Sequence, residues 1–100
     1  MKKIRTLLIG LGNIGYGYDK NSNYIQTHYK AIRNNKNFKL IGVIDKNKKK
    51  LNKIEDCYTN AKLEKKILEN TDLIVLSVPT DIQYKYVKKI LNSGFKKNFL

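Results

Sequence analysis

The spacing of apolar residues switches back and forth along the chain between two periods. Lys3–Gly10 (KIRTLLIG) ends in the nearly continuous apolar run Leu7-Leu8-Ile9, the pattern of a strand covered on both faces. Phe38–Asp45 (FKLIGVID) repeats it. Leu73–Pro79 (LIVLSVP) is the most β-branched and aliphatic of the three, with the only proline of the chain at its end, where no further ladder donor is needed. Asp56–Thr59 (DCYT) reads as a short strand between the second and this one. The intervening segments carry apolar residues about three to four positions apart, the helical period. These are Thr27–Asn35, with Thr27 as a cap, Lys46–Glu55, apolar only at Leu51 and Ile54, and Ala61–Asn70, with Leu63, Ile67 and Leu68 on one face. The last, Asp81–Ser93, is the best defined: Ile82, Tyr86, Val87, Ile90 and Leu91 form its stripe. Thr80 and Gln83 have capping-box spacing at its start, and Gly94 stands at its end. Strand and helix alternate, which predicts an α/β fold with a parallel sheet wrapped by helices.

Length bounds what such a fold can contain. One hundred residues make one domain, residues 1–100, with room for one sheet and one core and little for a separate substrate domain. The basic start and short apolar run of MKKIRTLLIGLGN resemble a signal peptide, but the run leads into glycines with no small-residue cleavage site. It reads instead as a buried strand, no segment reads as a membrane span, and the expected location is cytoplasmic. A lone cysteine, Cys57, excludes an internal disulfide and agrees with a reducing compartment. The net charge of +13 is one footprint of a nucleic-acid binder. Yet only Arg5 and Arg33 among the 21 basic residues carry the bidentate fork that base and phosphate recognition favours. Lys, Asn and Ile are what AT-rich codons supply, so compositional drift is the simpler source of the charge, and nucleic acid is not an expected partner.

Candidate chemistry sits behind the first strand. Gly10-Leu11-Gly12-Asn13-Ile14-Gly15 is a G-x-G-x-x-G placed after a strand and opening a helix. Gly10 permits the tight turn, Gly12 lets the backbone approach a pyrophosphate, and Gly15 lets the helix pack on the sheet. A helix N-terminus there offers free N–H groups and partial positive charge to phosphates. Asp45 closes the second strand, where a carboxylate can accept both ribose hydroxyls of an adenosine. The fingerprint expects that acid about 20 residues beyond the glycines, whereas Asp45 lies 30 after Gly15. The excess maps onto Tyr16–Gln26 (YGYDKNSNYIQ), a loop by its Gly, Asp, Asn and Ser content. The negative charge of Asp45 favours NAD over NADP, while Lys46 and Lys48 leave a 2′-phosphate contact open.

At this point GLGNIGYGYD, Thr27-His28 with Ala31-Ile32, LIGVID and DLIVLSVPTDIQY together resemble the N-terminal domain of the glucose–fructose oxidoreductase / inositol dehydrogenase (Gfo/Idh/MocA) family, from Ile4 to Leu100. Its most specific element is the Val78-Pro79-Thr80 turn. The resemblance implies a Rossmann-like doubly wound parallel sheet and hydride exchange between NAD or NADP and a hydroxyl-bearing carbon of a sugar, sugar nucleotide or cyclitol. It implies a cofactor lined by Gly10, Gly12, Asn13, Ile14, Gly15, Asp45, Ser77, Pro79 and Thr80. His28 matches a position the family often fills with histidine near the cofactor edge, and is equally readable as a packing residue. Gln83 stands where many members place histidine, and is equally readable as the capping-box partner of Thr80. The family's Glu-Lys-Pro motif, with its proton-transferring lysine, and the sheet domain that follows do not occur in these residues. The expectation is therefore a single, incomplete nucleotide-binding domain with no catalytic residue of its own, whose relatives associate through the second domain. A non-catalytic nucleotide-sensing module, or an inactive relic, is the alternative.

The remaining residues add little. Phe95–Leu100 reads as the opening of a fifth strand, covering an otherwise exposed edge at Leu73–Val78. Tyr16, Tyr18, Tyr24 and Tyr29 surround the inserted loop, as ligand contacts or as half-buried loop residues. Cys57, beside Glu55 and Asp56, reads as a structural thiol of raised pKa. No cluster has metal-site spacing and no serine sits in a nucleophile elbow.

Overall fold

The computed structural model describes residues 2–11 and 28–99. Its strands are β1 (Ile4–Ile9), β2 (Phe38–Ile44), β3 (Tyr58–Asn60), β4 (Leu73–Leu76) and β5 (Asn98–Phe99). Its helices are α1 (His28–Asn34), α2 (Lys48–Leu51), α3 (Lys65–Leu68) and α4 (Thr80–Asn92). The five strands form one sheet of order β3-β2-β1-β4-β5, parallel at every pairing. The chain thus runs outward from β1 to one edge, returns to β4 beside β1, and proceeds to the other edge.

Side-chain alternation along the central strands feeds two cores, one on each face of the sheet. Leu7, Ile9, Ile44 and Ile74 point to the face where Leu63, Leu68, Ile90 and Phe95 complete a cluster. Leu8, Val43 and Val75 point to the opposite face, where they meet Ile32 of α1, Leu51 of α2 and Ile54. Burial on both faces explains the continuous apolar reading of β1, and the two helix layers make the fold doubly wound. β5 pairs with β4 through Leu73–Asn98 and Ile74–Phe99, so the edge at β4 is covered as the sequence suggested.

Several elements are shorter than the sequence pattern implied. The segment expected as a helix over Lys46–Glu55 is helical only at Lys48–Leu51: Asn47 caps it, accepting from the Lys49 and Lys50 N–H groups, and one buried leucine is its whole apolar face. The Ala61–Asn70 helix contracts to Lys65–Leu68, because residues 61–64 form a turn held by side chains. β3 starts two residues later than Asp56, which adopts φ +64° and turns the chain instead of extending it. Thr80 is the first residue of α4, not its cap; Pro79 holds that position without a side-chain bond, and the Thr80/Gln83 capping box does not form. The Cys57 thiol is pushed up chiefly by burial, with Asp56 adding a little and Arg33 opposing, so it stays protonated.

At the amino-terminal edge of the sheet, Asp72 joins β1 to β4. Its carboxylate accepts from the backbone N–H of Arg5 and from Nε at 3.0 Å each, and from Nη2 at 3.0 Å. Lys97, just before β5, approaches at 3.6 Å. The Arg5 guanidinium holds the Asp72 carboxyl well below the usual carboxylate range. The folded pKa is lower than the unfolded one, so this stabilisation is present above the ordinary Asp pKa of about 3.9 and disappears as pH falls through the folded value. Asp72→Asn is therefore expected to flatten the acid limb of a stability-against-pH curve below about pH 4. Urea midpoints for both proteins across that range check it, and an unchanged acid limb would contradict it.

Candidate nucleotide site

The carboxyl ends of β1, β2 and β4 deliver Gly10, Asp45 and Ser77 to one edge of the sheet. Sheet hydrogen bonds run on past the strands, from the Gly10 N–H to the Ile44 carbonyl and from the Ser77 N–H to the Ile9 carbonyl, at 2.7 Å each. Gly10 has φ +103°, a left-handed conformation that costs side-chain-bearing residues strain. A Cβ there would also lie 2.4 Å from the Ser77 carbonyl oxygen and 2.6 Å from Val78 Cγ1. Gly10 is thus needed so that β1 can turn while pressed against the chain leaving β4.

Asp45 directs its carboxylate across the same edge. Oδ2 accepts from the Leu11 N–H at 2.6 Å and Oδ1 from the Asn47 N–H at 2.7 Å. The first bond ties the end of β2 to the residue between the first two glycines of the motif. Each carboxylate oxygen keeps acceptor capacity beyond these bonds. A cleft of about 220 Å³ opens here between Gly10, Asp45, Lys46, Lys50, Ser77, Val78, Pro79, Ile82 and Tyr86. Burial and the negative charge of Asp45 push the Tyr86 hydroxyl up, which keeps it a donor at neutral pH.

A nucleotide cofactor fits these groups. Among the described residues the buried Ser77 Oγ has no hydrogen-bond partner, and an orphaned hydroxyl at a cleft wall is an available contact. The strand order reverses direction at β1/β4, the switch point where open α/β sheets hold ligands outside their carboxyl ends.

Of the residues singled out in the sequence, Gly10, Asp45, Ser77 and Pro79 come together in this cleft. Gln83 donates from Nε2 to the Val78 carbonyl at 2.8 Å, bracing the Val78-Pro79-Thr80 turn instead of reaching a cap. Thr80 is exposed at the start of α4. His28 opens α1, whose buried residue belongs to the core on the opposite face from α4. Tyr29, on the same helix, packs against that core with the Arg33 guanidinium 5.5 Å from its ring centre. Gly12, Asn13, Ile14 and Gly15, with the expected helix start, loop and cap at Thr27, lie outside the described residues. Lys50, rather than Lys48, accompanies Lys46 at the cleft. Ile82 and Tyr86 read in the sequence as core stripe; at the first two turns of α4 both line the cleft, and Tyr86 also packs against the core cluster on that face. The i, i+4 spacing of an aliphatic and an aromatic residue just after Pro79 was the available signal.

Among the described residues, no group of three or more His, Cys, Asp or Glu is placed to hold a metal, and no helix is long and apolar enough to cross a membrane.

Sheet order, glycine turn and acidic strand end define a dinucleotide-binding domain of the Rossmann class. Residues 4–98 match the family model described as oxidoreductase family, NAD-binding Rossmann fold, so the chain belongs to the Gfo/Idh/MocA family. No curated protein and no solved structure matched the chain.

Proposed function

We propose that this chain is the cofactor-binding part of an oxidoreductase that moves hydride to or from a hydroxyl-bearing carbon of a sugar, sugar nucleotide or cyclitol, with NAD preferred to NADP. The carrying observation is the convergence of Gly10, Asp45 and Ser77 on one cleft, with the Asp45 carboxylate bound to the Leu11 N–H of the glycine turn. Gly12, Asn13, Ile14 and Gly15 would hold the pyrophosphate, and Asp45 the adenosine ribose. Ser77, Pro79 and Thr80, with Gln83 and His28 nearby, would face the nicotinamide side. The bound dinucleotide supplies the hydride acceptor or donor. The chain's own part is to bind and orient it; the substrate pocket and the proton-transferring lysine belong, on this reading, to a second domain, and the reaction to the cytoplasm.

Asp45 sets the expected cofactor preference. A 2′-phosphate would meet its carboxylate, while Lys46 and Lys50 on the same cleft soften that repulsion. NADH is therefore expected to bind about tenfold more tightly than NADPH, a difference of about 1.4 kcal/mol. Parallel fluorescence titrations check this, and equal or reversed affinities would overturn the preference for NAD.

A further inference from the structure

Beside the cleft at Asp45 lies a second of about 220 Å³, sharing Lys46, Ile82 and Tyr86 with it. Its opposite wall is the turn after β3, at Ala61, Lys62 and Leu63. That turn is short, lies at the sheet edge carrying β3, and precedes only a one-turn helix. Something must fix it if it is to serve as a wall.

Asn60 supplies four bonds there. Its carbonyl accepts from the Asp45 N–H at 3.2 Å, fixing the end of β2 against β3. Its Oδ1 accepts from the Lys62 N–H at 3.0 Å, the side-chain-to-backbone closure that sets the turn. Its Nδ2 donates to Glu64 Oε1 at 2.7 Å and to the Tyr58 hydroxyl at 2.8 Å. Tyr58 Oη in turn donates to the same Glu64 oxygen at 2.6 Å, closing a triangle. The Tyr58 ring packs against the core cluster that contains Leu63. The triangle thus joins the sheet edge, the turn and the first residue before α3 in one hydrogen-bonded unit, of the kind whose members support one another.

We propose that Asn60 is a positioning residue of the nucleotide site: with Tyr58 and Glu64 it holds the turn at Ala61–Leu63 as the wall facing Ile82 and Tyr86, and through its carbonyl it holds Asp45. Asn60 touches no ligand in this role. It sets how well the adenosine half of a dinucleotide is received. The proposal rests on the nucleotide reading above.

The triangle also allows a test that separates positioning from general stability. Asn60→Asp alone puts two carboxylates against each other in place of an amide–carboxylate bond. The double variant N60D/E64Q exchanges amide and carboxylate across the same contact and restores every donor–acceptor match, the Lys62 N–H and the Tyr58 hydroxyl included. Affinities for NADH and for ADP-ribose, which lacks the nicotinamide, are measured on the 100-residue chain. Temperatures are kept well below each variant's unfolding midpoint. Asn60→Ala and Asn60→Asp are expected to weaken both ligands by the same factor, about tenfold, the effect of one or two net hydrogen bonds. N60D/E64Q is expected to return to within about twofold of wild type. If Asn60→Ala does not fold, the comparison of Asn60→Asp with the double variant decides alone. Wild-type affinity in Asn60→Asp, or a loss that N60D/E64Q does not recover, overturns the positioning role. Wild-type protein that binds neither ligand instead overturns the dinucleotide reading, and this proposal with it.

Discussion

Gly10→Ala is expected to lower the stability of the domain by about 2–5 kcal/mol, a large share of the 5–15 kcal/mol that holds a typical domain folded. Two costs act together. A side-chain-bearing residue at φ +103° gives up about 1–2 kcal/mol of backbone energy. The added methyl would stand 2.4 Å from the backbone oxygen of Ser77, whose own N–H is bonded to the Ile9 carbonyl at 2.7 Å. Overpacking of this kind costs about 1–3 kcal/mol. Gly94 is the natural control. Its φ is +90°, and a Cβ there meets nothing within 4 Å. Gly94→Ala should therefore show the backbone cost alone, about 1–2 kcal/mol. Urea unfolding of the three proteins measures both effects. A Gly10→Ala midpoint equal to that of Gly94→Ala would mean that β1 and the residues after β4 are not pressed together at the site.

Asp45→Ala is expected to weaken NADH binding by about a hundredfold or more, corresponding to roughly 2.7 kcal/mol. The carboxylate is the acceptor that the ribose hydroxyls would meet, and charge-assisted bonds are the stronger kind, about 1.5–3 kcal/mol each. Its loss also leaves the Leu11 and Asn47 N–H groups without their partner, loosening the turn on which the glycine motif begins. Asp45→Asn keeps one acceptor oxygen and should fall between the two. Calorimetric titration of NADH into each protein measures the series. Affinity for NADH within threefold of wild type (about 0.7 kcal/mol) in Asp45→Ala would remove Asp45 from the ribose contact.

Much of the sheet was legible because its determinants are local. Leu7-Leu8-Ile9 and Ile74-Val75 are buried on both faces, and an uninterrupted apolar run is how such burial appears in a sequence. Asp45 could be placed at this edge despite the long spacing from Gly15, because its position follows from closing β2 and not from distance along the chain. The ends of the short helices were not legible: apolar spacing in the lysine-rich segment Lys46–Glu55 does not bound a helix, and the Asn47 cap, the Asn52 end and the burial of Leu51 decide which turn forms. Tyr86 packs on the core as its periodicity implied, but it and Ile82 also line the cleft, and periodicity alone does not show which stripe residues border a cleft. The Arg5–Asp72 staple and the Asn60 carbonyl bond to Asp45 join residues distant in sequence and leave no local pattern. The Asn60–Tyr58–Glu64 triangle is local, yet its residue types are common in any turn, so only coordinates reveal it.

The most direct test of a dinucleotide site at the Gly10–Asp45–Ser77 edge is a titration of NADH into the wild-type chain, followed by competition with ADP-ribose and, separately, with tripolyphosphate. Saturable binding of one NADH per chain, displaced by ADP-ribose and not by an equal concentration of tripolyphosphate, is the expected result. Absence of binding, or equal displacement by tripolyphosphate, would mean that the lysine-rich surface holds anions without a nucleotide site, and would contradict it.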